Sequence, residues 1–479
     1  MSPSKWAVTA ISLILMFGNG LFPNIPGMTD VGTSVVCIFV GTILMLLFVD
    51  LQWPCLLCVL AFATTGIYSL SEAIATAFGH NLFWLIVLSG MVLGVLEDTG
   101  IIRRVAISII TCKLSRKGPW FFVSLLMFAS MFIGFFIDSS CCMILMLALT
   151  SEILKSLEIK QGNRTAALIV MGVFLMVSIA YGATPFGHSS PVALLGMYEE
   201  AGFNVLSFAT YCIPGVISAV IFLALMLVYF KVALKLDVAP LCSYDADALR
   251  SSLGPISRAE IVSGLTYVAV ILVWLLPNII GGVLPGVADF INTLGVNAPL
   301  IVAIVFLCLY RVDGKPLFDF QHRLVTAPWV PAILVGVNML LAAAVQLPEA
   351  GFTDFFVNNI GPALGGIHPM LFVLVMCGGT ILMTQFCSNM LSAVVFTTIA
   401  IPMMSSGVIT GVEGGALCFA IAIGANVAYC MPTASTLAAF TYTSGWVTPK
   451  MQASVGAFGA IMGALVISFL GYNIAAFVL

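Results

Sequence analysis

The sequence predicts an all-α polytopic membrane protein made of two inverted repeats, each with a re-entrant hairpin and a broken helix. Three observations lead to this fold class. The first is composition: 61% of the 479 residues are hydrophobic and 8% are charged, against about 25% charged in a soluble globular chain. Apolar windows long enough to cross a bilayer follow one another along the sequence. The second is the confinement of all 17 lysines and arginines to a few places: Lys5, Arg103 to Lys117, Lys155 to Arg164, Lys231 to Arg258, Arg311 to Arg323, and Lys450. The third is the recurrence of three polar landmarks, in the same order, in both halves of the chain.

Confined positive charge sets the topology, because lysine and arginine beside a span stay on the cytoplasmic side. The apolar run between Lys117 and Lys155 has basic residues at both ends. A single crossing would leave one cluster outside, whereas a hairpin that enters and leaves on one side keeps both inside. Such a hairpin needs protein or a water-filled cavity around its tip to satisfy the backbone there. Asp138-Ser139-Ser140 lies at the middle of the run, the place for a tip.

The remaining elements follow from that hairpin, at about 119–155. The first repeat, 1–236, has helices at about 6–23, 33–50, 52–68 and 82–97, an amphipathic arm from Arg103 to Lys117, the hairpin, a broken helix at about 165–204 and a helix at about 206–236. A polar cytoplasmic linker occupies 237–258. The second repeat, 259–479, has helices at about 260–281, 296–310 and 327–346 and a hairpin at about 366–406 entering from outside. A broken helix at about 413–446 and a helix at about 452–479 complete it. All basic residues are then cytoplasmic, the N-terminus is cytoplasmic and the C-terminus is outside, which is the expectation for a multi-pass protein of the plasma (inner) membrane. The first apolar segment, WAVTAISLILMFGNGLF, lacks a small-residue cleavage site and reads as a retained helix.

The landmarks make the repeat explicit. LEDTGIIRRVA, from Leu96, aligns with LPEAGFTDFFV, from Leu347. FFIDSSCCMI, from Phe135, aligns with QFCSNMLSAV, from Gln385, pairing Asp138 with Ser388 and Ser139 with Asn389. AYGATPFGHSSP, from Ala180, pairs with AYCMPTASTLA, from Ala428, and each interrupts a long apolar helix. Inverted repeats with broken helices meeting at the midplane are the architecture of secondary transporters.

Several classes are excluded or carry no signal. A net charge of −3 leaves no electrostatic footprint for nucleic acid. The 13 cysteines lack metal-ligand spacing and a secreted disulfide pattern, and read as packing thiols. The partners expected are a small organic anion and the lipid bilayer.

The order of arm, polar-tipped hairpin and Gly/Pro-rich interruption, repeated, resembles the divalent anion:sodium symporter (DASS) family of the ion-transporter superfamily. Members carry a Ser-Asn-Thr tip on each hairpin and a Gly-Thr-Pro-Pro-Asn-like interruption after it. Here the second tip reads Ser388-Asn389-Met390 and the first Asp138-Ser139-Ser140; the interruptions read Gly187-His188-Ser189-Ser190 and Ala434-Ser435-Thr436-Leu437. The resemblance implies a homodimer with a fixed scaffold and an elevator-like transport domain. It implies transport of di- or tricarboxylates, by Na⁺ symport or counter-anion antiport, with no cofactor. It also places bound Na⁺ near Ser139 and Gly187 in the first half, and near Asn389 and Ala434 in the second; Asp138, beside Ser139, is a further candidate Na⁺ ligand particular to this chain.

The chemistry of a carboxylate site agrees with that placement. Every lysine and arginine is expected near a cytoplasmic end, so half-helix N-termini must answer the substrate's charge. Ser139, Ser140, Ser388 and Asn389 supply donors and orientation, with Ser189, Ser435 and Thr436 beside them. Met390 stands where the family has a threonine, either shaping the pocket for a partly apolar anion or filling a gap. An intramembrane carboxylate is a functional hypothesis by default. Asp138 strengthens a cation site, carries a proton or binds an amino group on the substrate, or else it caps the helix that follows it. His188 is its counter-ion, an imidazolium standing in for one Na⁺, or a satisfied buried histidine. Two other readings remain open: a cation/proton antiporter using Asp138, and an intramembrane enzyme using Asp138, His188 and Cys141.

Overall fold

Inside a bilayer each backbone N–H and C=O must find a partner within the protein, which leaves helices as the open option for this chain. The structure, a computed structural model, describes residues 3–479 apart from 19–20, 51–52, 187, 245, 356–357 and 360–365. Among the described residues, six helices are long and apolar enough to cross a membrane, or eight if each of two bent pairs counts as one span. An antiparallel pair of two-residue strands, Arg311–Val312 with Lys315–Pro316, is the sheet among them.

The first half opens with helices Pro3–Phe17, Asp30–Phe48 and Trp53–Thr64. A helix at Leu70–Phe78, absent from the sequence reading, starts at a capping box of Ser69 and Glu72. Helix Asn81–Thr99 then turns sharply into the arm helix Ile101–Ile110. Gly100 makes that turn at φ 80°, and Gly351, its counterpart in the repeat alignment, sits at φ 67°. Both are left-handed positions that favour glycine, which explains why the two landmarks share this residue. The arm buries Ile102, Ala106, Ile107 and Ile110 on one face, as its amphipathic pattern predicts.

The run expected to form the first hairpin holds two helices, Pro119–Gly134 and Ser139–Ser156, the second of them long and apolar enough to cross a membrane. The broken helix follows as Arg164–Ala183 and Ser189–Glu200, then a span of Phe208–Val228 extended by a π turn at Tyr229–Ala233. The second half begins at Arg258–Ile280. The helices expected at about 296–310 and 327–346 are Ala298–Leu309 and Trp329–Val345, and each follows, across a bend, a helix the sequence did not predict: Pro285–Leu294, at 74°, and Phe320–Thr326, at 60°. Gly295 and Pro299 mark the first bend and Pro328 the second, where proline cannot continue the hydrogen-bond ladder. The second hairpin is Pro369–Thr384 and Asn389–Ser405, its broken helix Gly414–Gly424 and Thr436–Thr443, and the last span Pro449–Val478. That span also contains a π turn, Val466–Gly471, as its counterpart in the first half does.

The two hairpins enter from opposite ends of the bundle. Gln161 donates to the Ser444 carbonyl (3.1 Å) and the Trp446 indole to Ser151 (3.0 Å), joining the open end of the first hairpin to the end of the second broken helix. At the other end, the Glu413 amide donates to the Tyr472 hydroxyl (3.0 Å), and Gly411 lies against Pro369, where the second hairpin starts. Between these ends the broken helices cross. Ser189–Glu200 packs on Gly414–Gly424 and Asn389–Ser405, while Thr436–Thr443 packs on Arg164–Ala183 and Ser139–Ser156. The crossing is close: a Cβ on Gly182 would stand 2.7 Å from the Ile423 Cα.

The region linking the halves is more than a solvated loop. Arg104 on the arm bonds both Glu260 oxygens (2.7 and 3.2 Å) and the carbonyls of Leu253, Gly254 and Pro255. Arg116 pairs with Asp247 in an exposed position. Breaking the largely buried pair costs on the order of 3 kcal/mol, whereas an exposed pair is worth about 1 kcal/mol or less. Arg104→Ala should therefore lower the melting temperature in detergent well beyond the change caused by Arg116→Ala; equal shifts would show that the Arg104 cluster does not brace the two halves.

Candidate functional site

The site begins with two helix starts that have the same backbone and different side chains. Asp138 precedes Ser139–Ser156 at φ −53° and ψ 138°; Ser388 precedes Asn389–Ser405 at φ −58° and ψ 140°. The predicted pairing of Asp138 with Ser388 is thus geometrically matched. Asp138 Oδ1 accepts from the Ser140 amide (2.8 Å) and the Cys141 amide (3.3 Å) and caps its helix. Ser388 makes no side-chain cap, so no capping side chain covers the amides that open the second helix.

The breaks are held by side chains that take over the interrupted backbone bonding. Gln385 Oε1 accepts from the amides of Tyr429 (3.0 Å) and Cys430 (2.9 Å), and its Nε2 donates to the carbonyls of Val427 and Ile381. In the first half, Thr184 donates to the Phe135 carbonyl, Tyr211 to the Gly182 carbonyl (2.9 Å), and His188 Nε2 lies 3.0 Å from the Gly134 carbonyl. A chain of amides and hydroxyls joins the halves. Thr384 donates to Asn389 Oδ1 (3.0 Å), Asn389 to Asn426 Oδ1 (3.2 Å), and Asn426 to the Ser190 hydroxyl (2.9 Å).

Both tips and both interruptions line one cavity of about 860 Å³, a size suited to a small molecule. Asp138, Ser139 and Ser140 come from the first tip and Ser388, Asn389 and Met390 from the second. Ser189, Ala434, Ser435 and Thr436, all expected at the site, also line it. Two expected residues do not take part as described. Gly187 lies outside the described residues. His188 is fully buried and absent from the cavity wall, its ring 4.4 Å from that of Tyr181, so it pins the first break to the hairpin. The ring is bonded through Nε2 alone, and its Nδ1 is buried with no hydrogen-bond partner among the described residues. This placement also separates His188 from Cys141, which faces a second cavity of about 500 Å³ with Glu97, Asp98 and Arg323. Asp138 lies on the wall of both cavities, and Arg323 is ion-paired to Asp98. Among the described residues, no group of three His, Cys, Asp or Glu side chains is placed to hold a metal ion.

The sequence reading missed Gln385, Asn426, Ser190, Tyr181 and Lys5. For Gln385 and Asn426 a signal existed: an amide within an apolar run needs a partner across helices, and both lie just past the end of a helix. Lys5 carried no such signal, because its place on the cavity wall depends on how the first helix docks.

Residues 35–309 match the citrate transporter family, CitMHS. The chain belongs to this family. It is accordingly a secondary transporter of the multi-pass membrane type, and not an enzyme. Among related proteins, a sodium-dependent dicarboxylate transporter, SdcS, of Staphylococcus saprophyticus is 25% identical over 420 residues, covering 84% of this chain and 78% of its own. The SdcS protein of Staphylococcus aureus is 24% identical over 428 residues, covering 85% and 79%. Two solved structures share the fold. MtrF of Neisseria gonorrhoeae, described within a class of antimetabolite efflux pumps, has a TM-score of 0.56 at 16% identity, over 85% of each chain. The YdaH transporter of Alcanivorax borkumensis has a TM-score of 0.59 at 14% identity, over 84% of this chain and 87% of that one.

The cap at Asp138 separates stability from charge in this family member. Asparagine caps about as well as aspartate, and alanine costs about 1 kcal/mol. Asp138→Asn should keep the melting temperature in detergent near that of the wild type, and Asp138→Ala should lower it by several degrees. Two equal melting temperatures would deny the cap.

Proposed function

We propose that this citrate transporter family member carries small di- or tricarboxylate anions by alternating access, coupled to Na⁺ or to counter-anion exchange. The observation that carries this reading is the convergence of both tips and both breaks on one cavity, with one tip capped by a carboxylate and the other uncapped. A substrate carboxylate docks at the second tip, on the amides after Ser388 and the Asn389 side chain, where the helix dipole favours negative charge. Ser435, Thr436 and Ser189 orient it. The first tip, with Asp138, Ser139 and Ser140, is the cation side, and Na⁺ or a proton there offsets the charge of the incoming anion. The names of the relatives, sodium-dependent dicarboxylate transporters, support both the substrate class and the ion. A cation/proton antiporter working through Asp138 would leave the uncapped second tip without a ligand.

The proposed cycle moves both hairpins and both broken helices as one transport domain against the first helices of each repeat, in a homodimer, like an elevator. The proposed repeats are 1–236 and 259–479, with the linker at 237–258. The N-terminus is placed in the cytoplasm and the C-terminus outside, following the basic residues.

Uptake of labelled succinate and citrate into proteoliposomes tests this, with and without an inward Na⁺ gradient or internal unlabelled anion. Ser388→Ala should raise the half-saturating concentration by about tenfold, the effect of losing a hydrogen bond to a charged group. Asp138→Asn should abolish stimulation by Na⁺. Uptake that needs only internal anion would make the protein an exchanger, and no uptake of either anion would reject the substrate class.

A further inference from the structure

We propose that Lys5 is a substrate-positioning residue, its ammonium holding the second carboxylate of the anion in the conformation shown; this rests on the transport reading above. Lys5 lines the same cavity as both hairpin tips. Its Nζ donates to the Val49 carbonyl (3.0 Å), which fixes the side chain against the wall formed by Leu46, Phe48 and Asp50. Among the described residues of that wall it is the basic side chain, and the carboxylates on the same wall are those of Asp50 and Asp138. A dicarboxylate entering there meets two acidic residues. The amides of the second tip answer one end of the anion, and a cation is needed for the other. Apolar wall residues, Phe48, Leu46 and Leu334 among them, lower the local dielectric and strengthen that pairing.

Its position in the chain gives the residue a further property. Lys5 rides on Pro3–Phe17, which packs on Asp30–Phe48 and Trp53–Thr64, whereas the tips belong to the hairpins. If the hairpins move against the first helices, Lys5 faces the substrate in one conformation and is left behind in the other. It would then select for doubly charged anions at the face that carries the N-terminus.

The test compares succinate with butyrate, the monoanion of similar length, as inhibitors of labelled succinate transport in inside-out vesicles. Lys5→Gln should weaken succinate and leave butyrate unchanged, reducing the preference about tenfold, while Lys5→Arg keeps it. Active transport with an unchanged preference in Lys5→Gln would overturn the role of Lys5 and leave the transport reading standing. No transport of succinate or citrate by the wild-type protein would reject both. Should Lys5→Gln fail to accumulate, the wild-type protein decides: succinate, and not butyrate, should protect Lys5 from an amine-reactive reagent followed by mass spectrometry. Equal protection by the two would overturn the proposal.

Discussion

Two helix breaks and two hairpin tips deep in a bilayer expose backbone groups that lipid cannot satisfy, and the centre of this protein is organised around answering them. Gln385 supplies both acceptor and donor to the second break. Thr184, Tyr211 and His188 reach carbonyls around the first. Gln385 comes from the hairpin tip beside its break, whereas Thr184 and His188 belong to the first break and reach carbonyls of its hairpin. The same bonds therefore tie each hairpin to its broken helix, and they give physical content to the idea of a transport domain that moves as a unit.

Once the backbone is satisfied, the two tips are free to differ. They share a helix start with nearly the same φ and ψ, yet one carries a capping carboxylate and the other a serine that does not cap. A helix N-terminus with its amides engaged by Asp138 offers little to a further anion, whereas the uncapped one keeps its partial positive charge. In the proposed function this one difference makes the first tip the cation side and the second the anion side. The chain Thr384–Asn389–Asn426–Ser190 runs between them, so the polar centre is continuous across the repeats.

Charge at the cavity follows a similar division. Confinement of lysine and arginine to the ends of spans places them away from the membrane centre, in keeping with the cost of burying charge there. Lys5 keeps to that rule by lying near the start of its helix and still reaches the cavity. Arg323 reaches the second cavity from the last turn of Phe320–Thr326 and is neutralised by Asp98. The protein brings fixed cations to the edge of its polar centre and leaves the middle to dipoles and amides.

Much of this was legible in the sequence. Apolar windows gave the helices, and the polar residues around Asp138 marked the break between two of them. The repeat gave its copy, down to the glycines at 100 and 351 that both need a left-handed backbone. Each of these signals is local, a matter of which solvent a segment can tolerate or which φ a residue can adopt. The helices Pro285–Leu294 and Phe320–Thr326, which lead into the bends, were harder to see, because each is too short to register as a span. The choice between roles for Asp138 and His188 also stayed open, since a cap and a ligand have the same residue type. Only the tertiary structure decided that His188 turns to the Gly134 carbonyl, that Asn426 meets Ser190, 236 positions away, and that Lys5 joins the tips. Those contacts depend on how whole helices dock, and no pattern within one segment encodes the distance between two of them.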